Sequence, residues 1–125
     1  MSPAEYMLLT PSWKADQIKQ INVPWIRYFI MCDPMDYLKE MNGSCLSLYG
    51  SLDLQVPPIP NAEIMEELFI SKAEGGFIGK VKTYKGLNHL FQNADTGMVT
   101  EYGQIQETME PDVLIDIIRW IKAGN

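Results

Sequence analysis

Hydrophobic positions change their period part-way along the chain. Up to about Met41 the spacing is helical. Ala4 to Leu9 and Ser12 to Ile21 read as short helices, with Pro11 punctuating between them. Asn22 and Pro24 form the next helix start. Trp25, Ile26, Phe29 and Ile30 follow at i, i+1, i+4 and i+5, which predicts one buried face. Asp33 as N-cap and Pro34 at N1 restart the helix, Tyr37, Leu38 and Met41 supply apolar contacts, and Asn42-Gly43 ends the segment.

From Ser44 the pattern differs. Cys45 to Tyr49 is a short, mostly apolar run between Gly43 and Gly50, which suits a strand buried on both faces of a parallel sheet. Asn61 is the expected cap of the following helix. Ile64, Met65, Leu68 and Phe69 share one face, Glu63 sits in its first turn, and Gly75-Gly76 stops the chain beyond it. Ile78 to Tyr84 alternates and predicts a second strand, less completely buried than the first. A last helix is expected from about Pro111 to Lys122. Val113, Leu114, Ile117, Ile118 and Ile121 form its apolar face, and Arg119 and Lys122 suit its negative C-terminal end.

The fold class is therefore α/β. Residues 1–43 form a helical segment, and residues 44–125 run strand, helix, strand, long loop, helix. Alternation of this kind implies parallel strands with right-handed crossovers. Two strands alone leave two unpaired edges and do not make a stable sheet. A partner chain is expected to complete the sheet, or the sequence is part of a larger domain.

Composition narrows the function. The 125 residues are 46% hydrophobic and 21% charged, a globular balance. A net charge of −6 with no basic stripe argues against a nucleic-acid surface. No apolar run approaches the roughly 20 residues that span a bilayer. The opening MSPAEYMLL lacks both a positive n-region and an adequate apolar h-region, so no signal peptide is expected in it. Cys32 and Cys45 match neither C-x-x-C nor a zinc spacing; two buried free thiols are the reading adopted, although spacing does not exclude a disulfide.

The chemistry concentrates just beyond the ends of the two predicted strands, where ligands and catalytic groups gather in parallel sheets. Gly50-Ser51-Leu52-Asp53-Leu54-Gln55-Val56-Pro57 follows the first, and Gly86-Leu87-Asn88-His89-Leu90-Phe91 follows the second. The pairing of G-x-x-D-x-x-V-P with a later G-x-x-H resembles the last third of the α/β-hydrolase fold, where nucleophile, acid and His occur in that order. Within that family it is most similar to the dienelactone-hydrolase-like and prolyl-oligopeptidase-like serine hydrolases. The likeness runs from about Val23 to Ile121 and is strongest over Ser44 to Phe91. It implies that Asp53 is the triad acid and His89 the triad base, and that residues 1–43 correspond to a cap. It also implies a small ester, thioester or peptide substrate, with no metal and no organic cofactor.

The residue types suit this role. A serine hydroxyl needs an imidazole to take its proton, and the imidazole needs a carboxylate to hold one tautomer and stabilise its charge. The departure from the family is the nucleophile, which requires G-x-S-x-G on a strand-to-helix turn. Ser2, Ser12, Ser44, Ser47, Ser51 and Ser71 all fail that pattern, and Cys32 and Cys45 fail the thiol version. The chain alone is expected to be inactive. The alternative from another class is a non-catalytic α/β binding or dimerisation module, with a homo-oligomer formed through the incomplete sheet. Trp13, Trp25, Tyr28 and Phe29 are read as core rather than as a cap pocket, and Met31, Met35 and Met41 as packing filler. Residues 92–106 form a long loop that either borders the site or bridges to the last helix.

Overall fold

A computed structural model describes residues 12–124 of the chain. They fall into two units, one ending at Glu40 and one beginning at Met41. The helix predicted over Ala4 to Leu9, Pro11 and Ser2 lie outside the described residues, as do the side chains of Ser12 and Trp13.

The first unit contains α1 (Ser12–Ile21), α2 (Pro24–Met31) and α3 (Pro34–Leu38). Asn22 closes α1 instead of opening α2: its side-chain amide donates to the Ile18 carbonyl at 2.9 Å. The helix α2 starts from Val23, with Pro24 in the first turn, where no N–H is needed. At α3 the expected cap forms, and Asp33 Oδ1 accepts from the Met35 amide at 2.9 Å. The buried face predicted for α2 does not form among the described residues of this unit. Trp25, Phe29 and Ile30 are 70%, 74% and 63% exposed, and of the four positions Ile26 alone is half-buried. Met31, expected as filler, is exposed as well, whereas Met35 is half-buried. Helices of ten, eight and five residues provide too little apolar surface to enclose this face.

The second unit is a two-stranded parallel sheet between two helices. Its elements are β1 (Ser44–Gly50), α4 (Pro58–Lys72), β2 (Ile78–Tyr84) and α5 (Pro111–Lys122). Ser44 pairs with Ile78 at one end of the ladder and Gly50 with Tyr84 at the other. The helix α4 begins at Pro58, earlier than the cap predicted at Asn61, because prolines at the start of a helix give up no hydrogen bond. Asn61 lies inside it and donates from its side chain to the Pro57 carbonyl at 2.8 Å. After α4 a short 3-10 turn, Ala73–Gly75, leads to Gly76 with φ 81°, the left-handed stop expected at Gly75-Gly76.

Strand alternation assigns the two helices to opposite faces of the sheet. On one face, Gly79 leaves room for Phe69 of α4: a β-carbon at Gly79 would lie 2.2 Å from the Phe69 ring. Phe69 in turn stacks at a tilt on Phe77, with centroids 5.6 Å apart. On the other face, Tyr84 packs with Leu87 and with Val113 of α5, joined by Leu48, Phe91, Met109 and Ile117. Asp116 of α5 pairs with the Lys82 ammonium and accepts from the Tyr84 hydroxyl at 2.8 Å. Burial first, then Asp116, raises the Tyr84 phenol well above its ordinary pKa.

Burial falls short of the sequence expectation in two places. Ser44 to Tyr49 of β1 are half-buried rather than enclosed, and Gly50 alone of that strand is buried. Leu114, Ile118 and Ile121 on the apolar face of α5 are 47%, 50% and 67% exposed. Both follow from sheet width, because two strands cover less of a helix face than the apolar stripe of α5 presents. Cys32 and Cys45 are free thiols, half-buried rather than buried as expected. Among the described residues no helix is long and apolar enough to cross a membrane.

Candidate active site

The site lies where β1 and β2 end side by side. Beyond Gly50 the backbone turns against the chain that leaves β2. The Ser51 amide donates to the Tyr84 carbonyl at 2.8 Å, and the Leu52 amide to the Leu87 carbonyl at 2.9 Å. The Gly86 amide donates to Ser51 Oγ at 2.8 Å, which closes the contact from the other side. This approach is close enough to require glycine at position 50. A β-carbon there would lie 2.3 Å from the Leu87 carbonyl oxygen and 2.6 Å from that of Asn88.

These stitches bring the predicted acid and base together. Asp53 is 7% exposed. Its Oδ1 accepts from the Gln55 amide at 2.9 Å and the Val56 amide at 2.8 Å, a turn typical of aspartate. Its Oδ2 stands 2.8 Å from His89 Nδ1. The carboxylate thus has two backbone donors fixing one oxygen and the imidazole on the other. The His89 side chain remains 38% exposed. With Nδ1 committed to Asp53, Nε2 is the nitrogen available to a reacting group.

Burial by itself would raise the Asp53 pKa, but the Val56 amide, the His89 imidazole and the Gln55 amide outweigh it and hold the carboxyl below its ordinary value. The sign of the pH effect follows. A folded value below the unfolded one, about 3.9, gives stabilisation that is complete above that pH and fades as pH falls through the folded value. Asp116 is also held low, first by Lys82 and then by Tyr84. So is Glu101, where the Thr96 hydroxyl and the Gly97 amide outweigh burial. Acid unfolding is therefore shared, and a difference measurement isolates Asp53. In urea titrations the stability gap between wild type and Asp53→Asn is expected to shrink as pH falls below about 4. A gap that stays unchanged down to pH 3 contradicts a carboxyl held low by its partners.

Four residues that organise the site were given no individual role by the sequence patterns. Asn88 is fully buried and Gln92 is 6% exposed, and they bond to each other beneath His89. Gly97, with φ 78°, presses on the Leu52 carbonyl, where a β-carbon would come within 1.9 Å of the oxygen. Glu101 accepts from the Gly97 amide at 2.7 Å and from Thr96 Oγ1 at 2.8 Å, so it holds that approach in place. Gln55 also donates to the Tyr102 hydroxyl at 3.2 Å. The long loop therefore borders the acid turn as well as leading to α5. The sequence signals available were a glycine and an acidic residue in an otherwise patternless loop, and an asparagine beside the histidine.

Three serine hydroxyls near the sheet take part in hydrogen bonds within the chain. Ser51 accepts from Gly86, Ser47 donates to Tyr49 at 2.9 Å, and Ser71 donates to the Leu68 carbonyl at 2.7 Å. Compared with protein-family models, curated proteins and solved structures, the chain matches none.

Proposed function

We propose that this chain carries the acid and base of a serine hydrolase of the α/β-hydrolase type, and that another stretch of polypeptide supplies the serine. The observation that carries this reading is the 2.8 Å contact between His89 Nδ1 and a buried, amide-held Asp53 carboxylate. Asp53 lies in the turn after β1, and His89 in the turn after β2, its parallel neighbour. In the reaction Nε2 of His89 takes the serine proton as the hydroxyl attacks an ester, thioester or peptide carbonyl, then returns it to the leaving group. Asp53 keeps the Nδ1 proton in place and offsets the imidazolium charge without accepting the proton. The chain by itself has no hydrolase activity on this reading.

The test is labelling of the assembled hydrolase with a serine-directed phosphonate probe. The wild type is expected to label, and His89→Ala to slow labelling at least a hundredfold, the lower range of general-base contributions. Equal labelling rates remove His89 from the mechanism. A second reading is favoured by the exposed apolar face of α2 and by the small sheet. On that reading the chain is a non-catalytic module that associates through these surfaces, in the simplest case with a second copy of itself.

A further inference from the structure

We infer that Asn88 is a positioning residue, and that with Gln92 it fixes the turn that aims His89 at Asp53. Among the described residues His89 has one side-chain hydrogen bond, to Asp53, on an imidazole that is more than one-third exposed. Water competes for such a contact unless the backbone beneath the ring is held. That backbone belongs to a turn over residues 88–92 that closes on Asn88. Asn88 Oδ1 accepts from the Leu90 amide at 2.9 Å and from the Gln92 amide at 3.0 Å, the N–H groups of the His89–Leu90 and Phe91–Gln92 peptides. The Asn88 amide donates to the Gln92 carbonyl at 3.0 Å, and the Phe91 amide to the Asn88 carbonyl at 3.0 Å.

The side chains lock the same turn. Asn88 Nδ2 donates to Gln92 Oε1 at 3.0 Å, and Gln92 Nε2 donates to the Glu107 carbonyl at 2.8 Å, which ties the turn to the chain entering α5. Closing so tightly puts Phe91 in the left-handed region, φ 56°, which an aromatic residue adopts only when its surroundings impose it. The Phe91 ring packs edge-on against Tyr84, with centroids 6.2 Å apart, so the core holds the strained residue in place. Burial of Asn88 at 0% exposure means that no water replaces the bonds it makes.

The inference rests on the His89–Asp53 contact of the proposed function and not on the reaction that contact performs. Nitrogen NMR of the chain reads it directly, because the sequence has a single histidine. Wild type is expected to show a downfield Nδ1–H resonance and the Nδ1-protonated tautomer. Asn88→Ala is expected to lose that resonance and shift the proton to Nε2 while circular dichroism stays unchanged. If Asn88→Ala does not fold, Gln92→Ala takes its place, with loss of the resonance expected again. A folded variant with an unaltered Nδ1–H signal overturns the positioning role and leaves the dyad standing. Absence of the signal in the wild type overturns both.

Discussion

On the proposed reading, replacing Asp53 with asparagine is expected to lower kcat of the assembled hydrolase by about 10⁴-fold, the loss known for a triad whose acid becomes an amide. The geometry explains so large an effect from a near-isosteric change. Oδ1 accepts from two backbone amides, so an asparagine must keep its carbonyl oxygen on that side. Its NH₂ then faces His89 Nδ1, where Oδ2 now stands at 2.8 Å. A donor facing Nδ1 forces that nitrogen to accept, and the ring proton moves to Nε2. The nitrogen that should take the serine proton is then already protonated. Asparagine also lacks the charge that offsets the imidazolium. Steady-state kinetics on a small ester are the measurement, with KM expected to stay within a few-fold. A kcat within tenfold of wild type shows that Asp53 is not the orienting acid.

A large effect on the fold is expected from Gly50→Ala. The added β-carbon meets two carbonyl oxygens, of Leu87 and Asn88, at 2.3 and 2.6 Å. Both are backbone atoms, so no side-chain rotation relieves the clash. The two strand-end turns must separate, and the bond from the Leu52 amide to the Leu87 carbonyl is strained or lost with them. Overpacking of this kind costs about 3 kcal/mol, at the upper end of the usual range. The urea midpoint is expected to fall with little change in slope. Gly75→Ala is the matched control, since a β-carbon at Gly75 meets nothing within 4 Å, and its effect is expected within about 0.5 kcal/mol. Equal losses in the two variants contradict the close approach. In the folded fraction of Gly50→Ala the His89 Nδ1–H resonance should also weaken, because the clash lies directly beneath the dyad.

These expectations differ in how far the amino-acid order announced them. The strand Ile78–Tyr84 and the helix Pro111–Lys122 have the bounds predicted from local periodicity, and Asp33 caps its helix as its chemistry suggests. Those features depend on neighbours within a few residues, where pattern and propensity act directly. The cap at Asn61 failed because Pro57 to Pro60 can open a helix without a side-chain cap, and the helix therefore started sooner. The buried face of α2 failed for a different reason. Periodicity reports that one side is apolar, but burial needs a neighbour large enough to cover it.

At the site the division is similar. Asp53 and His89 were legible because each follows a strand end and carries a recognisable set of flanking residues. Asn88, Gln92, Gly97 and Glu101 were not, because their work is done across turns or between loops with no fixed spacing. By itself, then, the sequence determined two strand ends, each with a titratable residue of the right type just beyond it. That those residues meet at hydrogen-bond distance was decided by tertiary structure. Parallel pairing brings Gly50 level with Tyr84, and the missing side chain of Gly50 lets two backbones touch. A long-range contact of this kind depends on packing, which local order along a chain does not encode in any one place.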